Sequence, residues 1–246
     1  MPDDGMFCYE AGGAFLETRG LTKTYQVGRE TVHALTDVDF AAQQGDFSVL
    51  NGPSGSGKTT FLNLISAIDR PTRGEVLIAG ISTGTQTDAQ LAALRRTTIG
   101  LVFQTFNLIP VLSAAENVEY PLLLQRLPRP ERKLRVSTML EEVGLGELAR
   151  RRPNELSGGQ RQRVAIARAL VSQPRMVLAD EPTANLDSET GRQVMELTRR
   201  LNEEHCVVFI VVTHDPAVAA YAKRRIGIRD GRLIEGMGDE RPAAAS

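Results

Sequence analysis

A lysine and a threonine that close a glycine-rich run carry the clearest chemistry in this chain. The run is Gly52-Pro53-Ser54-Gly55-Ser56-Gly57-Lys58-Thr59-Thr60, and it fits the pattern G-x-x-x-x-G-K-[ST]. Glycines there let backbone N–H groups turn inward around phosphate oxygens. A helix beginning after them would point its free N–H groups and positive dipole end at the same anion. Lys58 can then reach the β- and γ-phosphates of a nucleoside triphosphate, and the Thr59 hydroxyl can ligate Mg²⁺. Further on, the apolar stretch Met176-Val177-Leu178-Ala179 ends in two carboxylates, Asp180-Glu181. Asp180 suits Mg²⁺ held through water, and Glu181 suits orienting and polarising an attacking water. Phosphoryl transfer needs positioning and charge neutralisation more than covalent help, which is what these side chains offer. A strand that merely ends in acids is common, so the carboxylate pair takes its meaning from the glycine-rich run in the same chain.

The elements around these residues must place them. Asp46 to Asn51 reads as a short strand leading into the glycine-rich run, and Phe61 to Ile68 as a helix after it, closed by Pro71. Phe15 to Arg19 and Thr31 to Phe40 alternate and predict an antiparallel pair with Gly28 in the turn. Arg175 to Ala179 and Val207 to Val212 are apolar and rich in β-branched residues, as expected of central strands in a parallel sheet covered on both faces. Between Leu112 and Leu170 the pattern changes: Leu122, Leu123, Leu127, Leu134, Met139, Leu140, Val143 and Leu145 fall at helical spacing, broken by Pro128 and Pro130. The prediction is an α/β fold: a mostly parallel central sheet, an antiparallel β subdomain, and a helical subdomain inserted over about Ser113 to Pro153. Residues 1–13 and 241–246 read as loose tails.

Composition narrows the partners. Hydrophobic residues make up 41% and charged residues 24%, ordinary for a globular chain with a full core. Net charge is −1, from 29 basic and 30 acidic residues, which gives no global field for nucleic acid. No apolar run reaches the length of a membrane span; the longest is Cys206 to Thr213. The cysteines Cys8 and Cys206, far apart in sequence, are expected to be reduced thiols.

A second glycine-rich segment, Leu156-Ser157-Gly158-Gly159-Gln160-Arg161-Gln162-Arg163, precedes Asp180. By itself it is a good helix start: Ser157 can cap, and Val164, Ala165, Ile166, Ala169 and Leu170 continue an apolar face. Such a start is also an anion site, and one nucleotide does not need two of them from one subunit. The segment resembles the signature of ABC ATPases, and the chain is similar to that family from about Phe15 to Gly236. The fold this implies is the P-loop NTPase core of the ABC type, residues 14–105 and 170–240, with a helical subdomain at 106–169.

The resemblance extends residue by residue. Tyr25 resembles the aromatic that stacks on adenine. Gln104, in Leu101-Val102-Phe103-Gln104, resembles the Q-loop glutamine that contacts Mg²⁺ or the attacking water. Asn185-Leu186-Asp187 resembles the D-loop, which places Asp187 at the dimer interface, and His214 resembles the switch histidine at the γ-phosphate. His33 and His205 fall outside these motifs. In the family, Ser157, Gly158, Gly159 and Gln160 would serve the ATP held by a partner's first loop. The resemblance therefore implies ATP and Mg²⁺ as cofactors, an ATP-dependent head-to-tail homodimer, and separate integral-membrane permease subunits at the cytoplasmic face. Finer features, including Leu108 to Val118 and Pro182 to Asp187, are similar to the branch that includes LolD, MacB and FtsE. That implies export of lipoprotein-like or drug- or peptide-like cargo, with FtsE-like regulation of extracytoplasmic enzymes as the alternative.

Overall fold

The computed structural model describes residues 13–234. The expected tails lie outside these residues except for Gly13, as does Cys8.

Two sheets frame the molecule. Strands β1 (Leu16–Val27) and β2 (Glu30–Ala42) form the predicted antiparallel pair, closed by a turn with Gly28 at φ 63°. β1 also pairs on its other edge with β4 (Arg73–Ile78), which pairs with the short β5 (Ile81–Ser82). These last two strands were not foreseen: Arg73-Gly74-Glu75 opens β4 with polar residues, and the alternation that marks a strand covers only its second half.

The other sheet runs β10-β9-β3-β8-β7-β6. Its members are β3 (Phe47–Asn51), β6 (Ile99–Val102), β7 (Met176–Asp180), β8 (Val208–Thr213), β9 (Arg224–Arg229) and β10 (Arg232–Ile234). All neighbours are parallel except β9 and β10. β3, β7 and β8 are buried on both faces, which their apolar sequences anticipate. One face packs Phe47, Val49, Val177 and Phe209 against the inserted helices and the helix after β7. The other packs Leu50, Leu178, Ile210 and Val212 against the helix after β3 and the antiparallel sheet. The Phe47 and Phe209 rings stack with centroids 5.7 Å apart.

Helix α1 (Lys58–Ile65) follows β3, and α2 (Asp88–Thr98) precedes β6. α1 ends earlier than Pro71 suggested: Ser66 caps it and Ala67 turns left-handed at φ 55°. Between β6 and β7 lie α3 (Ala114–Leu124), α4 (Arg129–Glu142) and α5 (Gly158–Leu170); α6 (Ser188–His205) and α7 (Pro216–Ala219) follow β7 and β8. Among the described residues no helix is long and apolar enough to cross a membrane.

Candidate functional site

The glycine-rich run is held in shape by what surrounds it. Gly57 has φ 104°, and a β-carbon on it would meet the Ala34 carbonyl at 2.5 Å. A β-carbon on Gly52 would lie 2.2 Å from the Ile228 carbonyl. The run is thus pressed between β2 and β9, with no room for side chains at these two points. α1 starts directly at Lys58 with no side-chain cap, so its first N–H groups face the loop rather than a capping oxygen. The Lys58 ammonium folds back over the loop and donates to the carbonyls of Gly52 (2.6 Å) and Pro53 (2.8 Å), leaving the residue 8% exposed. A sheltered cation beside the uncapped start of a helix can seat a phosphate. Lys58→Ala is expected to weaken nucleotide binding about 10- to 100-fold, the scale of one or two lost charge-assisted hydrogen bonds. Titration with a fluorescent nucleotide checks this.

β7 and β8 bring the acidic pair and the histidine to the same loop. The Thr59 hydroxyl donates to Asp180 Oδ2 at 3.5 Å. Burial, and then the neighbouring Glu181 charge, push the Asp180 carboxyl above its ordinary range, against the opposing pull of Thr59 and Lys58. Glu181 sits in the left-handed region at φ 47°, with its N–H donated to the Val212 carbonyl at 2.9 Å. That turn aims its carboxylate across at β8. Oε2 accepts from the Thr213 hydroxyl (2.9 Å) and the His214 backbone N–H (3.3 Å), and Oε1 lies 2.7 Å from His214 Nδ1. The Glu181 side chain is 13% exposed and the His214 side chain 65%, so the carboxylate is sheltered while the ring stays reachable. Thr213 was missed in the sequence; its hydroxyl at the end of an apolar strand, directly before His214, was the available signal.

The donor set fits Mg²⁺. Thr59 and Asp180 offer hard oxygens within hydrogen-bond reach of each other, and no group of three or more His, Cys, Asp or Glu side chains among the described residues could cage a metal alone. Mg²⁺ characteristically takes few protein ligands and completes its shell with water and substrate phosphates.

Tyr25 is fixed beside the loop. Its hydroxyl donates to Asp69 Oδ2 at 3.0 Å, Lys23 bridges to Asp69 at 2.7 Å, and the Lys23 ammonium lies 4.9 Å from the ring centre. Burial, and then Asp69, raise the tyrosine's pKa, and contact with Thr60 of α1 opposes them.

The second glycine-rich segment makes its own arrangement. Ser157 caps α5: its hydroxyl accepts from the Gln160 N–H (3.3 Å), and Gln160 Oε1 accepts from the Ser157 N–H (2.9 Å). The Ser157 hydroxyl keeps its own hydrogen to donate. Added β-carbons on Gly158 and Gly159 would meet Leu186 at 3.1 Å and Thr190 at 2.4 Å, so the segment packs on residues 185–190 and not on the first loop. Asp187 caps α6 by accepting from the Thr190 N–H (2.9 Å) and hydroxyl (2.7 Å). Asn185 Nδ2 donates to the Gln104 carbonyl at 2.8 Å, a tie the sequence did not disclose.

The ABC transporter family profile matches residues 35–184. The chain belongs to the ABC transporter family. It is an ATP-binding subunit and an ATPase. The ABC transporter ATP-binding protein MJ0796 of Methanocaldococcus jannaschii is 47% identical over 222 residues, 89% of this chain and 94% of its own length. A dimeric structure of a post-hydrolysis state of that cassette, bound to ADP and Pi, matches with a TM-score of 0.84, covering 92% of this chain and 99% of that chain. The lipoprotein-releasing system ATP-binding protein LolD of Syntrophus aciditrophicus is 42% identical over 219 residues, 89% of this chain and 98% of its own length. The macrolide export ATP-binding/permease protein MacB 1/2 of Paracoccus denitrificans is 43% identical over 235 residues, 96% of this chain but 35% of that longer protein. The ABC fold and the LolD/MacB resemblance read from the sequence are therefore upheld.

Within this ABC subunit, the structure brings together Lys58, Thr59, Asp180, Glu181 and His214, with Tyr25 beside Thr60. It keeps Ser157 to Gln160 apart, on the 185–190 turn, which the Asn185 bond joins to the Gln104 loop.

Proposed function

We propose that this subunit works as a head-to-tail homodimer that binds Mg-ATP at two shared sites and drives a separate membrane permease. The observation that carries the reading is the half-built site: Lys58 and Thr59 of the first loop lie with Asp180, Glu181 and His214 at the ends of β7 and β8, while the second glycine-rich loop packs on residues 185–190. In this reading Gly52 to Thr60, Tyr25, Asp180, Glu181, Gln104 and His214 hold one nucleotide. The partner's second loop, with its Asp187 turn, closes over the γ-phosphate. Thr59, Asp180 and Gln104 would hold the Mg²⁺, which neutralises charge on the phosphates. Glu181, gripped by Thr213 and His214, takes the proton from the attacking water. The dimeric cassette of MJ0796 supports two copies as the working unit.

The permease contact has a natural place. A groove of about 490 Å³ lies between α2, β6 and α3, lined by Leu101, Phe103, Ile109, Tyr120 and Leu124 and rimmed by Arg96. It adjoins the Gln104 loop, so a helix seated there would move with the nucleotide site. The transport names of LolD and MacB favour export of lipoprotein-like or macrolide-like cargo at the cytoplasmic face of the membrane over division-type regulation. Tagged protein purified from membranes is expected to bring an integral-membrane partner with it. Leu124→Glu, which puts a charge in the groove, is expected to lose that partner; equal recovery by both proteins would remove the groove from the interface.

A further inference from the structure

The Gln104 loop bends in an unusual way just past the glutamine. Phe106 and Asn107 are both left-handed, at φ 61° and 48°, and neither is glycine. Two such residues in succession hold their shape only when neighbours impose it. The neighbour is α5. The Arg168 guanidinium donates to the Asn107 carbonyl at 2.5 Å and to the Phe106 carbonyl at 2.8 Å. It spends its charge on the main chain of the loop, and burial lowers its pKa. Two turns back on the same helix, the Arg161 guanidinium lies 5.4 Å from the Phe106 ring centre and donates to the Leu156 carbonyl at 2.9 Å, directly before Ser157. The helix that presents the second loop at its start therefore clamps the Gln104 loop along its length.

We propose that Arg168 is a positioning residue for ATP hydrolysis: its two-carbonyl grip sets the 105–107 bend and so fixes where Gln104 stands. The inference rests on the reading that Gln104 serves the γ-phosphate site. With Arg161 it makes one body of the Gln104 loop and the second glycine-rich loop, so a chain's own site and the one it completes in its partner are mechanically joined. A planar guanidinium can serve both carbonyls at once, whereas a lysine ammonium keeps the charge without that fork.

The test is steady-state ATPase kinetics of Arg168→Lys and Arg168→Met, alone and combined with Gln104→Ala, with thermal melting to confirm folding. Arg168→Lys is expected to fold, keep KM within about twofold, and lose about tenfold or more in kcat, as a small displacement of a positioned group does. In the Gln104→Ala background the same change is expected to cost nothing further, because a residue acting through Gln104 has nothing left to position. If Arg168→Met does not fold, Arg168→Lys carries the test. A folded Arg168→Lys with wild-type kcat overturns the proposal, and so does a full additional loss in the Gln104→Ala background. A Gln104→Ala protein at wild-type kcat overturns it together with the role given to Gln104, whereas a slow Gln104→Ala beside a normal Arg168→Lys overturns the Arg168 step alone.

Discussion

Glu181→Gln is expected to lower the rate of ATP hydrolysis by about 10²- to 10⁴-fold, the usual scale for removing a positioned general base, while leaving ATP binding intact. The geometry explains why the loss falls on the chemical step. The carboxylate is held by the Thr213 hydroxyl, the His214 N–H and the His214 ring, so its orientation is set before any nucleotide arrives. An amide of the same shape keeps an oxygen for Thr213 and the His214 N–H, but it cannot take a proton from water. Phosphate seating depends on Lys58 and the loop N–H groups, which the change does not touch. The variant should therefore collect as an ATP-bound dimer, read as a shift in size-exclusion volume on adding ATP, with phosphate release as the rate assay. Turnover near the wild-type rate would remove Glu181 as the base.

The parts of this site that were legible in the sequence are those whose chemistry is local. The glycine-rich run before a helix, the acidic pair at the end of a strand and the Ser157 cap each follow from residue type and near spacing, and the structure has these local elements where they were expected. The apolar strands were legible for a similar reason: in a parallel sheet covered on both faces, burial writes itself as an unbroken Val, Ile and Leu run. What stayed hidden depends on contacts across the fold. Thr213 matters because β7 and β8 are parallel neighbours, with Asp180 opposite Val212, so that Glu181 turns toward the residue that follows. Asn185 holds the Gln104 carbonyl from 81 positions away, and Arg168 reaches Phe106 from 62. No periodicity marks such pairs. β4 and β9 were likewise missed, since polar Arg73-Gly74-Glu75 and Arg224-Arg225 open them and only the sheet partners make them strands.

Mixing two inactive variants is expected to restore hydrolysis, and this result would separate a shared site from one built within a single chain. Ser157→Arg removes the α5 cap, at a cost of about 1 kcal/mol in stability, and sets a long side chain where the γ-phosphate of a partner would approach. Lys58→Ala removes the cation of the phosphate seat, and the assay is run at an ATP concentration that fills an intact first loop but not this weakened one. As pure homodimers both have two defective sites and should be inactive, though Ser157→Arg should still bind ATP, because its first loop, Asp180 and Glu181 are untouched. In a heterodimer the two lesions fall on the same composite site, and the other site has an intact first loop facing an intact second loop. Random assortment in an equal mixture makes half of the dimers mixed, so about a quarter of wild-type activity is expected if each site turns over independently. Were the second loop to serve its own chain's nucleotide, every chain in the mixture would carry a defect in its own site and no activity could return. Phosphate release measured against the mixing ratio, with a maximum at equal proportions, distinguishes the two arrangements. A flat response at the level of the parents would assign Ser157 to its own chain's nucleotide and overturn the shared-site arrangement.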